Sequence, residues 1–118
     1  WEAAMAAVNF RLSNLVAIID ANGMQSDGRS CDVMKSDLVA MWTGFGWETR
    51  IVDDGHDVKK IYDAFLSPGR GDTPAVIIAK TIKGKGISFM ENNISWHHNR
   101  LSETQYRAAL KELGEDVV

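Results

Sequence analysis

The apolar run Ala75–Ala79, within the segment PAVIIAK, restricts the fold of this 118-residue chain more than any other feature. A strand with one face in water alternates apolar and polar residues, but this run is apolar throughout. Continuous apolar strands are typical of parallel sheets that carry helices on both faces. The run therefore predicts a parallel strand that is buried on both sides.

Helical and strand patterns alternate along the rest of the chain. Two more strands are predicted, one at Leu15–Ile19 and one in the segment ETRIVDD, which begins at Glu48. The order helix, strand, helix, strand, helix, strand, helix predicts a single α/β domain over residues 1–118, with a three-layer open sheet that is mostly parallel and has helices on both faces. Each of the four helices is expected to turn one apolar face inward, formed in turn by Trp1, Met5, Val8 and Leu12; by Leu38, Met41, Trp42 and Phe45; by Val58, Ile61, Tyr62 and Phe65; and by Tyr106, Ala109, Leu110 and Leu113.

Capping residues mark the predicted helix boundaries. Ser36 and Asp57 are predicted to cap the second and third helices, and Pro68 to end the third. Ser102 and Gln105 have the spacing of a capping box at the start of the last helix. Nothing precedes the first helix that could cap it, so we expect the chain to be a piece of a longer protein or a processed product.

Charge and composition argue against several classes of function. The 13 basic and 16 acidic residues are scattered along the chain, which predicts no nucleic-acid surface. No apolar run approaches the roughly 18 residues of a membrane helix, and no basic segment precedes a hydrophobic one. The single cysteine, Cys31, cannot form an internal disulfide, which is consistent with a reducing compartment. We therefore expect a cytoplasmic protein that binds neither nucleic acid nor membrane.

Polar residues follow each predicted strand, in the segments Asp20–Gly23, Asp53–Asp57 and Lys80–Gly86. Ligands of open α/β sheets bind beyond the carboxyl ends of the strands, and parallel strands would place these three segments at one edge. Asparagine and aspartate oxygens beside lysines suit a magnesium ion that holds a phosphate group, because Mg²⁺ takes a few protein oxygens and completes its shell with phosphate and water. The sequence therefore predicts a metal and phosphate site at this edge.

Simpler interpretations of the same residues stay open at this point. Asn22-Gly23 is also typical of a plain strand-to-helix turn, whereas a hairpin is disfavoured because no second alternating strand follows. Lys83–Gly86 is also compatible with a solvated loop, and it lacks the spacing of a nucleotide P-loop. Cys31 and the three histidines lack zinc-ligand spacing, and nothing near Cys31 favours a nucleophile. Trp96 is expected to pack rather than to stack on a ligand.

Four segments together resemble transketolase, specifically the N-terminal, thiamine diphosphate-binding domain or subunit of its split form. The similarity extends over nearly the whole chain and preserves order and spacing. It implies that residues 1–118 are the C-terminal part of that domain and lack the family's upstream GDG segment. The segments are WEAAMAAVNFRLSNLVAIIDANGMQSDG, FGWETRIVDDGHD, PAVIIAKTIKGKGISFMENNISWHH and LSETQYRAALKEL.

The resemblance implies an enzyme of carbohydrate metabolism, in the pentose phosphate pathway. Transketolases use thiamine diphosphate with Mg²⁺, or sometimes Ca²⁺, to move a two-carbon ketol unit from a ketose phosphate to an aldose phosphate. In the family, a glutamate from the partner side of a dimer interface activates the cofactor. We therefore expect a complementary subunit or domain that carries this glutamate, a dimer or heterotetramer, and no activity of this chain alone.

The resemblance also implies roles for five residues. Asn22 would give its side-chain oxygen, and Met24 its main-chain carbonyl, to the divalent metal. Gly23 between them would belong to the cofactor-binding turn. Lys83 resembles the family lysine near the cofactor, where its ammonium acts as a point charge. His97 resembles the family histidine that reaches the diphosphate side and hydrogen-bonds a substrate oxygen during addition and cleavage, which makes it the catalytic candidate.

Some residues depart from the family pattern. Ser26 and Ile94 stand where an aliphatic residue and a proline are common, and the segment HHNRL lacks the usual glycine or proline. The donor and acceptor sugars therefore stay undefined. Two alternatives are kept: a thiamine enzyme like 1-deoxyxylulose-5-phosphate synthase, which shares KGKG and a DGHD-like turn, and a non-catalytic α/β scaffold. No role is assigned to His56, His98, Asn99 or Arg100.

Overall fold

Three parallel strands form the main sheet, in which Ala75–Lys80 (β5) lies between Val16–Ala21 (β1) and Glu48–Val52 (β4). Residues 75–79 of β5 are each no more than 5% exposed. β5 is buried because it has a neighbouring strand on each side and helices pack on the sheet. The predicted α/β fold, with a buried parallel strand, is confirmed.

The carboxyl ends of the three strands lie at one edge of the sheet. Ala21 is in register with Lys80, and Val52 with Ala79. The polar residues that follow β1, β4 and β5 in the chain therefore leave the sheet at the same edge, as the sequence predicts.

The other elements are helices and one short hairpin. The computed structural model describes residues 1–66 and 71–114. Pro68 lies outside these residues, so the helix end predicted there stays a prediction. None of the helices in the described part of the chain has the length and apolar character that a membrane crossing requires. Beyond the sheet, the elements are α1 (Glu2–Asn9), β2 (Met24–Gln25), β3 (Gly28–Arg29), α2 (Ser30–Val33), α3 (Leu38–Gly44), α4 (Val58–Leu66), a 3₁₀ helix (Ile94–His97) and α5 (Glu103–Glu112).

The chain divides into two compact units. The sheet unit comprises Trp1–Ala21 and Lys35–Thr81. The loop unit comprises Asn22–Met34 and Ile82–Val118, of which residues 115–118 lie outside the described part. The sheet unit contains β1, β4 and β5, and the loop unit contains the β2–β3 hairpin and α5. The predicted single domain over residues 1–118 stays a prediction.

The core of the sheet unit joins α1 to the sheet. Trp47 donates a 2.9 Å hydrogen bond from Nε1 to the carbonyl of Ala4, so a small helix residue and a large ring fit together. The predicted inward face of α1 is correct for Val8, which packs on the core, and wrong for Met5, which is 51% exposed. Trp1 is 58% exposed, but one side of its ring packs on Phe45, with 5.4 Å between ring centroids. Alanine lets the helix backbone approach Trp47 closely. The buried cluster consists of Ala4, Ala7, Trp47, Val76 and Ile78.

Helix α3 confirms its predicted face and corrects its predicted cap. Leu38, Trp42 and Phe45 pack against the core. Asp37 is the N-cap, not Ser36, and its Oδ1 accepts a 3.0 Å hydrogen bond from the backbone N–H of the third following residue. Both residue types are good caps, so the sequence alone places this boundary only to within one residue.

Helix α4 exposes most of the apolar face that was predicted to be buried. Val58, Tyr62 and Phe65 are 82%, 59% and 43% exposed, so their predicted burial is wrong. The helix is tied to β4 by its backbone, because the carbonyl of Ala64 accepts a 2.6 Å hydrogen bond from Arg50 Nη1. Since β4 is an edge strand of the described sheet, a helix packed on it covers only a narrow strip of its own apolar face.

The remaining capping predictions are confirmed. Asp57 Oδ1 accepts hydrogen bonds from the backbone N–H groups of Lys59 at 2.9 Å and Lys60 at 3.2 Å. Ser102 and Gln105 form both bonds of the capping box. Caps depend on residues two or three positions apart, which explains why local sequence is enough to find them.

The loop unit contains elements that the sequence does not predict. Met24–Gln25 pairs antiparallel with Gly28–Arg29, in strands too short to carry an alternating pattern. In α5, Ala109 is buried at 4% exposure, but Tyr106 and Leu113 are 49% and 57% exposed, so their predicted burial is wrong. The loop unit has few large side chains in its interior and depends instead on hydrogen bonds.

Candidate functional site

A tight turn follows β1 and presents two of the predicted metal ligands. Asn22 Oδ1 accepts a 2.9 Å hydrogen bond from the backbone N–H of Met24. Gly23 has φ of +71°, a left-handed conformation that favours glycine, and its carbonyl accepts a 2.8 Å hydrogen bond from Ser30 N–H. The side chain of Asn22 thus closes its own turn, as asparagine often does. The turn leads into the β2–β3 hairpin rather than directly into a helix.

The oxygen donors of this turn fit a hard divalent cation. An amide oxygen accepts two hydrogen bonds or ligand bonds, so the bond from Met24 N–H leaves Asn22 Oδ1 one further position. Amide and main-chain carbonyl oxygens are ligands that Mg²⁺ and Ca²⁺ accept. Within residues 1–66 and 71–114, no group of three or more histidines, cysteines and carboxylates is arranged to hold a metal. Mg²⁺ completes its shell with phosphate oxygens and water where a protein gives it few ligands.

Lys83 lies in a loop that is closed by backbone contacts. Its carbonyl accepts a 2.9 Å hydrogen bond from Asn92 N–H. Gly84, with φ of +75°, lies so near Met90 that an added Cβ would be 2.5 Å from the Met90 carbonyl oxygen. The segment is thus a specific structure rather than only a solvated loop, and glycine is required in it.

The ammonium group of Lys83 is available to a ligand. Lys83 is half-buried and forms no ion pair with any residue in the described ranges. The neighbouring lysines differ, because Lys80 pairs with Asp53 at 2.6 Å and Lys85 with Glu91 at 3.4 Å. Lys83 is the lysine implied to bind the cofactor, and among these three lysines it alone has no carboxylate partner in the described part of the chain.

His97 ends the 3₁₀ helix and is exposed. The preceding Trp96 is half-buried, packs on Phe89 with 5.4 Å between ring centroids, and donates a 3.0 Å hydrogen bond to the Phe89 carbonyl. The prediction that Trp96 packs is therefore confirmed. His97 contacts His98 edge-on, with 4.5 Å between ring centroids. Trp96 anchors the segment while the imidazole next to it stays accessible.

Polar contacts also join the strand ends of the sheet unit. Thr81 Oγ1 donates a short hydrogen bond to Asp20 Oδ1, and Lys80 Nζ contacts Asp53 Oδ1 at 2.6 Å. The hydrogen bond from Lys80, followed by its charge, lowers the pKa of Asp53 below its ordinary value. Gly55 N–H donates a 2.7 Å hydrogen bond to the Lys80 carbonyl. The sequence predicts these residues at one edge but not their pairing, which needs the strand order.

The five residues implied to bind cofactor and metal all belong to the loop unit. Three of them form the Asn22 turn, and the other two lie on the segment that follows β5. The chain enters the two segments from neighbouring strands, because Ala21 and Lys80 are register partners. Their convergence on one ligand stays a prediction. No pattern in the sequence points to Glu112, which binds Ser88 in the same unit.

Comparison with known proteins identifies the family. The protein-family model described as "Transketolase, thiamine diphosphate binding domain" matches residues 1–117. The chain is 38% identical over 119 residues to one of the subunits of apulose-4-phosphate transketolase from Phocaeicola vulgatus, a match that covers 99% of this chain and 42% of that protein. It is 37% identical over 118 residues to the transketolase of Homo sapiens, a match that covers 99% of this chain and 18% of that protein.

A solved structure agrees with the sequence comparisons. The crystal structure of transketolase from Campylobacter jejuni superposes with a TM-score of 0.84 at 28% identity, over 98% of this chain and 18% of that one. The chain spans less than half the length of the curated relatives described above. This protein chain belongs to the transketolase family, in its thiamine diphosphate-binding domain.

Proposed function

We propose that this chain supplies the diphosphate and metal side of a transketolase-type enzyme, which transfers a two-carbon ketol unit from a ketose phosphate to an aldose phosphate. The observation that carries the proposal is the family match over residues 1–117. The Asn22 turn and the free ammonium of Lys83 support it, because both suit a diphosphate that is bound through a divalent cation.

Each residue of the site has a distinct part in this proposal. Asn22 Oδ1 and the carbonyl of Met24, around Gly23, would hold Mg²⁺ or Ca²⁺. Lys83 places positive charge beside the diphosphate, and His97 hydrogen-bonds a substrate oxygen while bonds to carbon form and break. Thiamine diphosphate, when bound, supplies the reactive carbon and the electron sink that the protein side chains lack.

The proposal includes an assembly. Two relatives, from Phocaeicola vulgatus and Actinobacillus succinogenes, are named as subunits of a transketolase, and the chain covers 42% of each. We propose a complementary subunit that contributes the activating glutamate, in a dimer or heterotetramer, so that this chain is inactive alone. Cys31 is exposed and unpaired, which supports a cytoplasmic location.

The substrates are proposed only as a class. The names of relatives include an apulose-4-phosphate transketolase and a 6-deoxy-6-sulfo-D-fructose transketolase. The two names differ in the sugar, so the family match does not select one ketose for this chain. We propose sugar phosphates, with the pentose phosphate pathway as the first reaction set to assay.

The metal assignment is tested in the complete protein that contains this chain, together with its complementary subunit. Calorimetry with thiamine diphosphate and Mg²⁺ is expected to show at least about tenfold weaker binding for Asn22→Ala. Asn22→Asp keeps an oxygen for the metal and an acceptor for Met24 N–H, so it is expected to retain more affinity than alanine. Asn22→Cys should bind poorly with Mg²⁺ and regain binding with Cd²⁺, since thiolates prefer soft metals.

The outcomes separate the parts of this proposal. Equal cofactor affinity in Asn22→Ala and the wild type contradicts the metal assignment. Cofactor affinity of Asn22→Cys is compared with that of the wild type in Mg²⁺ and in Cd²⁺. If Cd²⁺ does not raise the affinity of Asn22→Cys, Asn22 only closes the turn. A wild-type assembly that binds no thiamine diphosphate and transfers no ketol unit contradicts the enzymatic function and favours the scaffold alternative.

A further inference from the structure

A carboxylate on α5 accepts two hydrogen bonds from the loop that carries Lys83. Glu112 Oε2 accepts a 2.5 Å hydrogen bond from Ser88 N–H, and Glu112 Oε1 accepts a 2.7 Å hydrogen bond from Ser88 Oγ. Both oxygens of one carboxylate are therefore used on one residue, which lies 24 positions earlier in the chain. Such a two-point contact fixes the orientation of the loop backbone as well as its position.

Ser88 lies inside a loop that is closed by backbone hydrogen bonds. The carbonyl of Lys83 accepts a hydrogen bond from Asn92 N–H at 2.9 Å, which joins the two ends of the loop. Between these ends, Ile87 N–H donates to the Gly84 carbonyl at 3.3 Å, and Met90 N–H to the Ile87 carbonyl at 2.9 Å. Ser88 follows Ile87 directly, so a displacement of Ser88 is passed through these bonds to the backbone of Lys83.

A second contact comes from the same end of the helix. A Cβ on Gly86 would lie 3.6 Å from Leu113 Cδ2, so the residue after Glu112 also lies beside the loop. The helix that carries Glu112 is capped at its start by Ser102 and Gln105. The loop is thus supported by the end of a capped helix rather than by another flexible segment.

The Glu112 carboxylate is well suited to accept these bonds. The hydrogen bond from Ser88 N–H, followed by that from Ser88 Oγ, lowers the pKa of Glu112, although desolvation and then the charge of Glu91 oppose this shift. The two bonds thus favour the ionised carboxylate, the form in which both oxygens accept.

We propose that Glu112 is a positioning residue for cofactor binding: by holding Ser88, it sets the place of the loop that presents the Lys83 ammonium to the diphosphate. This inference rests on the proposed function, because it takes Lys83 as the diphosphate contact. Glu112 lies on α5, does not touch the ligand itself and acts through the backbone of the loop.

The test compares Glu112→Ala with Glu103→Ala in the assembled enzyme, because alanine removes both hydrogen bonds to Ser88 whereas glutamine can keep them. Glu103 is on the same helix but pairs with Arg107 at 2.8 Å, so it is a matched control without a loop contact. We expect Glu112→Ala to weaken binding of thiamine diphosphate and of inorganic pyrophosphate roughly tenfold, while kcat at saturating cofactor stays within about twofold. Glu103→Ala is expected to leave both affinities unchanged.

A double-mutant cycle separates positioning from general stability. If Glu112 acts through Lys83, Glu112→Ala should have little further effect on pyrophosphate affinity once Lys83→Ala is present. Ser88→Ala removes one of the two hydrogen bonds and should give a smaller loss, about threefold, and it replaces Glu112→Ala in the cycle should that variant fail to fold. Additive effects of Glu112→Ala and Lys83→Ala, or an effect equal to that of Glu103→Ala, overturn the inference. A wild-type enzyme that does not bind thiamine diphosphate instead overturns the proposed function.

Discussion

Each of the two units of this chain is stabilised by a different kind of interaction. In the sheet unit, β5 is buried along nearly its whole length, and Val76 and Ile77 are fully inaccessible. In the described part of the loop unit, Ala109 is the single buried apolar residue. That unit instead uses side chains that bond to the backbone, such as Asn22 to Met24 N–H and Glu112 to Ser88 N–H.

The difference explains where function is expected. Burial of apolar area is strong but has no direction, so it makes a stable sheet and does not specify the orientation of individual polar groups. Hydrogen bonds are directional, and they fix the turn and the loop that carry the implied ligands. Binding residues placed on loops over a rigid scaffold are a common arrangement in proteins. We therefore expect loop-unit variants to change binding or catalysis and sheet-unit variants to change stability.

The largest expected effect is on catalysis, from His97. His97→Ala should lower kcat by about 10²- to 10³-fold, because it removes the hydrogen bond that is proposed to a substrate oxygen, and should leave the melting temperature unchanged. His98→Ala is the matched control, since His98 is adjacent, also exposed and in ring contact with His97. Steady-state kinetics of the assembled enzyme measure both. Equal losses in the two variants contradict the assignment of His97.

The next largest effect is on stability, from the sheet unit. Ile77→Ala removes a fully buried side chain from β5 and should lower the free energy of unfolding by about 2–5 kcal/mol. Ile51→Ala, at a β4 position that is 52% exposed, should cost clearly less. Chemical denaturation measures the two values. If the costs are equal, burial in β5 does not decide the stability of the unit, or Ile51 is covered in the complete protein.

The smallest expected effect is the pH dependence of one exposed ion pair. Lys80 lowers the pKa of Asp53 in the folded protein, so the unfolded chain binds the proton at higher pH than the folded one does. The stabilisation is fully present above the ordinary aspartate pKa and is lost as the pH falls through the lowered pKa.

Denaturation midpoints of the wild type and Asp53→Asn, measured against pH, test this pair. The difference between the two curves should be small, constant near neutral pH and reduced in acid, and added salt should shrink it because the pair is exposed. A difference that grows as the pH falls has the wrong sign and contradicts the pairing.

Local sequence was sufficient for the features that depend on near neighbours. The apolar run in β5 predicts burial on both faces, and the capping box at Ser102 and Gln105 needs residues only three positions apart. The resemblance to transketolase was likewise present in the order and spacing of motifs, and the family match over residues 1–117 confirms it.

Only the tertiary structure decided which apolar faces are covered and how the loops are braced. Val58 and Met5 have helical spacing that suits burial, yet both are exposed, because the covered width of a helix depends on what packs against it. The Ser88–Glu112 contact joins residues 24 positions apart, and no local pattern encodes such a pair. Periodicity and caps are set by neighbours along the chain, whereas the choice of partners is made only when distant segments meet.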